Sequence, residues 1–105
     1  MLRVHVLQVG FLLIALLPSV LLKVPDGCFE TDLQYQGVAI NNPERDRTPS
    51  AEICQAFCQS VFDCIAFSWV DDFHDLAEMR FRCTLWAETA AWLPQEHYTS
   101  GPKYC

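Results

Sequence analysis

The sequence predicts a small α+β domain stapled by disulfides, with one helix packed on a sheet of short strands. Three observations predict it. Six cysteines, Cys28, Cys54, Cys58, Cys64, Cys83 and Cys105, all fall from residue 28 onward. An even count in a small domain reads as a disulfide framework. The stretch Thr48 to Val61 carries apolar residues at helical spacing. The stretch Ile65 to Val70 alternates with a period of two, as a half-buried strand does.

The first residues read differently. Arg3 and His5 are followed by the unbroken apolar run Phe11 to Leu17, which Val20, Leu21 and Leu22 extend. A basic start and a short apolar run predict a signal peptide over residues 1–22, with an uncleaved anchor as the alternative. Residues 23–27, with Pro25 and Gly27, form a lead-in. The domain is then residues 28–105, a size at which a hydrophobic core alone is marginal and cross-links matter. Secretion follows from the leader and the cysteines together. The chain carries a formal charge of −6, and a cut between Lys23 and Asp26 would remove Arg3 and Lys23 and make it −8. Such acidity excludes nucleic acid and anionic membrane surfaces as main partners.

In chain order, Phe29 to Leu33 and Tyr35 to Ile40 read as short strands, the second broken at Gly37 by a bulge or a close backbone approach. Asn41 to Arg47 has no apolar residue and reads as an exposed loop. Thr48 suits an N-cap and Pro49 the first helical position. Ile53, Cys54, Phe57, Cys58 and Val61 form the apolar stripe, with Glu52, Gln55, Gln59 and Ser60 on the wet side. Cys54 and Cys58, one turn apart, face the same interior. Ile65 to Val70 is the clearest strand. Asp71 to Arg80 is a charged connection with a helical turn near Leu76 to Met79. Phe81 to Trp86 reads as a strand, Pro94 as a breaker, Thr99 to Pro102 as a turn and Lys103 to Cys105 as a short last strand.

No catalytic constellation stands out. His74 and His97 lie outside any Ser/His/Asp pattern, and an even cysteine count spares no nucleophile. Cys54, Cys58, Cys64 and His74 match none of the usual zinc spacings. The carboxylates Asp71, Asp72, Asp75 and Glu78 lack the alternation and the glycine of an EF-hand. The chain reads as non-enzymatic, with no cofactor or metal. Arg80 and Arg82 flank Phe81 and could hold an anion, though two arginines are an ordinary solvated edge.

Taken in order, several motifs resemble the PAN/apple domains. They are Cys28 and Gly37, the helix segment Cys54-Gln55-Ala56-Phe57-Cys58, and Cys64-Ile65-Ala66-Phe67-Ser68-Trp69. Cys83-Thr84-Leu85 and the closing Ser100-Gly101-Pro102-Lys103-Tyr104-Cys105 complete the set. The resemblance implies a twisted antiparallel sheet of about five strands cradling one helix. It also implies the pairs Cys28–Cys105, Cys54–Cys83 and Cys58–Cys64, out of the fifteen that six cysteines allow.

If Cys83 then faces the helix, Leu85 does too, and Trp86 falls on the opposite face of the sheet. There it either stacks on a sugar or anchors a protein, or is covered by Trp92 and nearby loops. The resemblance implies a secreted recognition module for carbohydrate or for an extracellular protein, with adhesion among its uses. Trp86 is the first candidate ligand residue. The acidic cluster Asp71, Asp72 and Asp75 is the alternative, serving a protein-binding or inhibitory role. A further alternative is a fragment of a larger protein with several such modules. One module binds monovalently, so avidity would call for oligomers or a multidomain partner.

Overall fold

The computed structural model describes residues 27–105. The expected signal peptide and residues 23–26 of the lead-in lie outside the described residues. Strand β1 spans Glu30–Ala39, helix α1 Ala51–Ser60, strand β2 Ala66–Val70 and strand β3 Cys83–Pro102. A 3₁₀ turn, Ala77–Met79, sits in the connection between β2 and β3.

The sheet has three strands in the order β1-β3-β2, not five. The two short strands expected before the helix are one continuous β1. Their predicted break survives as a register shift between Gln36 and Gly37, where a Cβ on Gly37 would fall inside the Glu88 carbonyl. β3 runs on through Pro94 and the expected turn Thr99 to Pro102, while residues 103–105 are not strand. Pro94 is tolerated because this stretch, from Glu88 to Glu96, is exposed ribbon with room for a missing N–H.

β1 pairs antiparallel with β3 from Glu30 opposite Ser100 to Ala39 opposite Trp86. β2 meets β3 twice. Residues 66–69 face 86–83 on one side, and residues 66–70 face 102–98 on the other. Partner numbers fall as β2 numbers rise, so both ladders run antiparallel. The two ends of β3 therefore flank β2. The chain between them is carried out along β1 and back, with a wide bulge opposite Asp32. Asp32 (φ 56°) and His97 (φ 72°) both adopt left-handed backbone there, and the His97 N–H donates to Asp32 Oδ1 at 3.3 Å.

The helix starts two residues later than the sequence suggests. Ser50 is the N-cap, and its hydroxyl accepts from the Ile53 N–H at 3.2 Å. Thr48 does not take that role: its hydroxyl donates to the Ser50 carbonyl at 3.1 Å, and its N–H donates to the Phe81 carbonyl at 2.9 Å. The buried face also differs from the expected stripe at Gln55 and Ile53. Gln55 is buried, and its Nε2 donates to the Pro102 carbonyl at 3.1 Å, whereas Ile53 is about half exposed. The Asn41 to Arg47 loop is also less free than expected. Asn41 docks on β3, donating to the Cys83 carbonyl and accepting from the Leu85 N–H, both at 2.8 Å.

The core lies between α1 and the sheet. Cys54, Cys58, Cys64, Phe67, Cys83 and Leu85 are essentially inaccessible, and Phe29, Phe57, Val61 and Trp69 pack against them. Three disulfides close it: Cys28–Cys105, Cys54–Cys83 and Cys58–Cys64. Cys54–Cys83 ties the helix to β3 through the middle of this core. Gly101 lets β3 pass under it, since a Cβ there would meet the Phe29 and Phe67 rings at 2.9 and 3.0 Å.

Candidate functional site: an aromatic cavity on the exposed ribbon

The strand alternation read from the sequence holds on β3. Cys83 and Leu85 face the helix, and Trp86 faces the other way. Trp86 is nevertheless 8% exposed, so it presents no free ring to a sugar or a partner. The cover is β1, not Trp92. β1 crosses the outer face of the sheet, and a polar node holds it there. The Ser68 hydroxyl accepts from the Trp86 indole Nε1 at 3.1 Å and from the Tyr35 backbone N–H at 3.2 Å. Ser68 and Ser100 hydroxyls are 2.7 Å apart, and the Ser100 hydroxyl donates to the Leu33 carbonyl at 2.7 Å. Ser100 has only one hydrogen to give, so Ser68 donates to Ser100. The indole of Trp86 is spent on Ser68, the β2 residue that also holds β1.

The exposed tryptophan is Trp92. It is 63% exposed on the ribbon formed by β1 and the middle of β3, directly opposite Tyr35. Together with Glu30, Thr89, Ala90 and Ala91 these two aromatics line a cavity of about 450 Å³. Alanines at 90 and 91 leave the indole unobstructed. Glu30 supplies an exposed carboxylate that can accept two hydroxyl groups. Partial burial and the neighbouring Glu30 carboxylate push the Tyr35 hydroxyl above the ordinary phenol range, so it stays a donor. An open indole beside a carboxylate and a phenol can stack on an apolar ring face and hydrogen-bond its rim. The sequence signal for this site is weak, because Ala90-Ala91-Trp92-Leu93-Pro94 follows neither periodicity. What could have pointed to it is a large aromatic flanked by alanines beside a proline.

The acidic candidates form a separate surface. Asp72 and Asp75 are exposed, while Asp71 is drawn partly inward. Asp71 Oδ1 accepts from the Phe73 N–H at 2.9 Å and lies 3.1 Å from His97 Nδ1. The Asp71 N–H donates to the His97 carbonyl, which pins the loop to the β3 bulge. Phe73 and Leu76 project from the same loop at 74% and 54% exposure. The structure thus gathers Asp71, Asp72 and Asp75 into one loop but does not bring Trp86 to its surface. Among the described residues, no three His, Cys, Asp or Glu side chains converge as a metal site, and no helix is long and apolar enough to cross a membrane.

No protein-family model matches the chain, and no curated protein matches it either. Among solved structures, the solution structure of a PAN module from Eimeria tenella superposes with a TM-score of 0.51 at 26% identity. The match covers 79% of this chain and 86% of that one. A single helix held on a sheet by three disulfides therefore resembles a PAN/apple domain in its fold as well as in its cysteine motifs.

Proposed function

We propose that this chain is a secreted, non-enzymatic recognition module that binds carbohydrate through the cavity of Trp92, Tyr35 and Glu30. The observation that carries the reading is the large exposure of Trp92 beside two polar groups on the ribbon of β1 and β3. Small domains bury the aromatics they can use for packing, so an indole left in water beside a carboxylate is a binding feature. The likeness to a PAN module supports a binding role in general, and three disulfides suit an extracellular domain. A glycan array run with the oxidised chain and with Trp92→Ala tests it. Selective binding lost in the variant is expected. A blank array, or binding that survives Trp92→Ala, would overturn it.

A second reading rests on Phe73 and Leu76. Apolar side chains exposed on an acidic loop suit a basic protein surface with an apolar pocket. That binding would weaken with salt and be lost in Phe73→Ala, while Trp92→Ala would leave it intact.

A further inference from the structure

We infer that the Trp92 cavity takes a cationic sugar, one whose ring stacks on the Trp92 indole while an ammonium group on that ring meets the Glu30 carboxylate. This rests on the glycan reading of the cavity and names the class of glycan. Charge on the ribbon is one-sided. β1 and β3 together carry Glu30, Asp32, Glu88 and Glu96 and no lysine or arginine. All five lysine and arginine residues among the described residues, Arg45, Arg47, Arg80, Arg82 and Lys103, stand outside these two strands. Asp32 and Glu96 have His97 beside them. Asp32 Oδ1 accepts from the His97 N–H at 3.3 Å, and Glu96 Oε2 lies 4.0 Å from His97 Nε2. Glu30 and Glu88 have no ion-pair partner among the described residues, and Glu30 is the one that lines the cavity.

The aromatic walls act with the same sign. Tyr35 and Trp92 stand opposite each other on paired strands, so both rings rise from one face of the ribbon. An aromatic ring is negative on its face and draws a cation that comes within about 6 Å of its centre. Partial burial and then the Glu30 carboxylate push the Tyr35 hydroxyl upward, so the carboxylate acts on the phenol at close range. Carboxylate, phenol and indole are thus neighbours around one space. Its volume of about 450 Å³ suits a small ring rather than only the tip of a side chain. Ala90 and Ala91 keep the approach to the indole open.

These features sort the sugars by charge. A sugar bearing a carboxylate or a sulfate ester meets Glu30 as a like charge and is repelled. A neutral sugar can stack and hydrogen-bond, but it leaves the Glu30 charge unmatched. A hexosamine with a free amino group satisfies each part of the cavity. Its C–H face lies on the indole, its ammonium donates a charge-assisted hydrogen bond to Glu30, and a ring hydroxyl accepts from Tyr35. N-acetylation of the same sugar removes the charge and keeps the ring, so the pair isolates the ammonium.

The test titrates the oxidised chain by calorimetry with glucosamine oligosaccharides and with the same oligosaccharides N-acetylated, in a buffer that keeps the free amines protonated. Tighter binding of the free-amine form, weakening as salt is raised, is expected. Glu30→Gln should lower that affinity about fivefold with the thermal transition unchanged, between the effect of an exposed ion pair and that of a charge-assisted hydrogen bond. Glu52→Gln removes the same charge from α1 and should bind as the parent does. Trp92→Ala should abolish binding of both forms. Equal or tighter binding of the acetylated form, or unchanged affinity in Glu30→Gln, would overturn the ammonium site. If Trp92→Ala still abolishes binding in that case, the glycan reading stands without it. Binding of neither form together with a blank glycan array would overturn both. Equal losses in Glu30→Gln and Glu52→Gln would reduce the effect to net charge and overturn the site. Tighter binding of a lysine-rich peptide, lost in Trp92→Ala, would overturn the sugar as the carrier of the cation.

Discussion

Ser68 shows how much of this fold turns on one hydroxyl. It is buried, and it serves the Trp86 indole, the Tyr35 N–H and the Ser100 hydroxyl at once. Ser68→Ala would leave the buried Trp86 indole N–H and the half-buried Tyr35 N–H unpaired, at about 1–3 kcal/mol for a buried donor and less for the other. A loss of roughly 2–4 kcal/mol in denaturant unfolding is expected, with β1 the first element to lose amide protection. A loss below about 1 kcal/mol would mean the node is replaceable by water. Asp46 makes a different kind of contribution. The Arg45 guanidinium and the Asn41 amide hold its carboxyl below the ordinary range. A group with a lowered folded pKa adds stability above its unfolded pKa and loses it as pH falls through the folded one. Urea unfolding across acid pH should therefore show a shallower acid loss in Asp46→Asn than in the parent.

At the scale of elements, the helix and the central strand were legible in the sequence, and their partners were not. The alternation Ile65 to Val70 placed Phe67 in the core, where it is fully buried. The cysteine spacing put Cys54 and Cys58 on the inner face of α1. The helix start was misjudged because the Thr48 segment is held by its N–H to the Phe81 carbonyl outside the helix, and its hydroxyl donates to the Ser50 carbonyl instead of capping. Ser50→Ala should accordingly cost about 1 kcal/mol, and Thr48→Ala less from the loss of a helix cap. The five expected strand segments became three strands because bulges join the first two into β1, and residues 103–105 are not strand. Trp86 was placed on the correct face, but no local pattern announces that β1 crosses over it. That crossing depends on Ser68 and Ser100, which are far apart in sequence. For the same reason the exposed aromatic is Trp92, whose neighbours show neither strand nor helix periodicity. The two cysteines Cys54 and Cys83 share one bond through the core, so Cys54→Ser and Cys83→Ser should destabilise the domain to a similar extent, each by several kcal/mol. A clear difference between them in unfolding would count against that bond as the common cause.

Across the whole molecule, a small core, three disulfides and two polar networks leave the candidate surfaces on the outside. The ribbon of β1 and β3 carries an aromatic cavity, the loop after β2 carries acids with Phe73 and Leu76, and the segments around Arg47 and Arg82 carry the positive charge. Each surface hangs on a disulfide-braced frame. This suits a scaffold that binds without rearranging. The three tryptophans make the proposal directly readable. Trp69 Nε1 donates to the Thr48 carbonyl at 2.9 Å and Trp86 Nε1 to Ser68 Oγ, while Trp92 is largely exposed. An NMR titration of the oxidised chain with a glycan selected on the array would follow the three indole N–H signals. The account predicts that the Trp92 signal moves with saturation while those of Trp69 and Trp86 stay in place. A shift confined to Trp86 or Trp69, or no indole shift at saturating glycan, would contradict it.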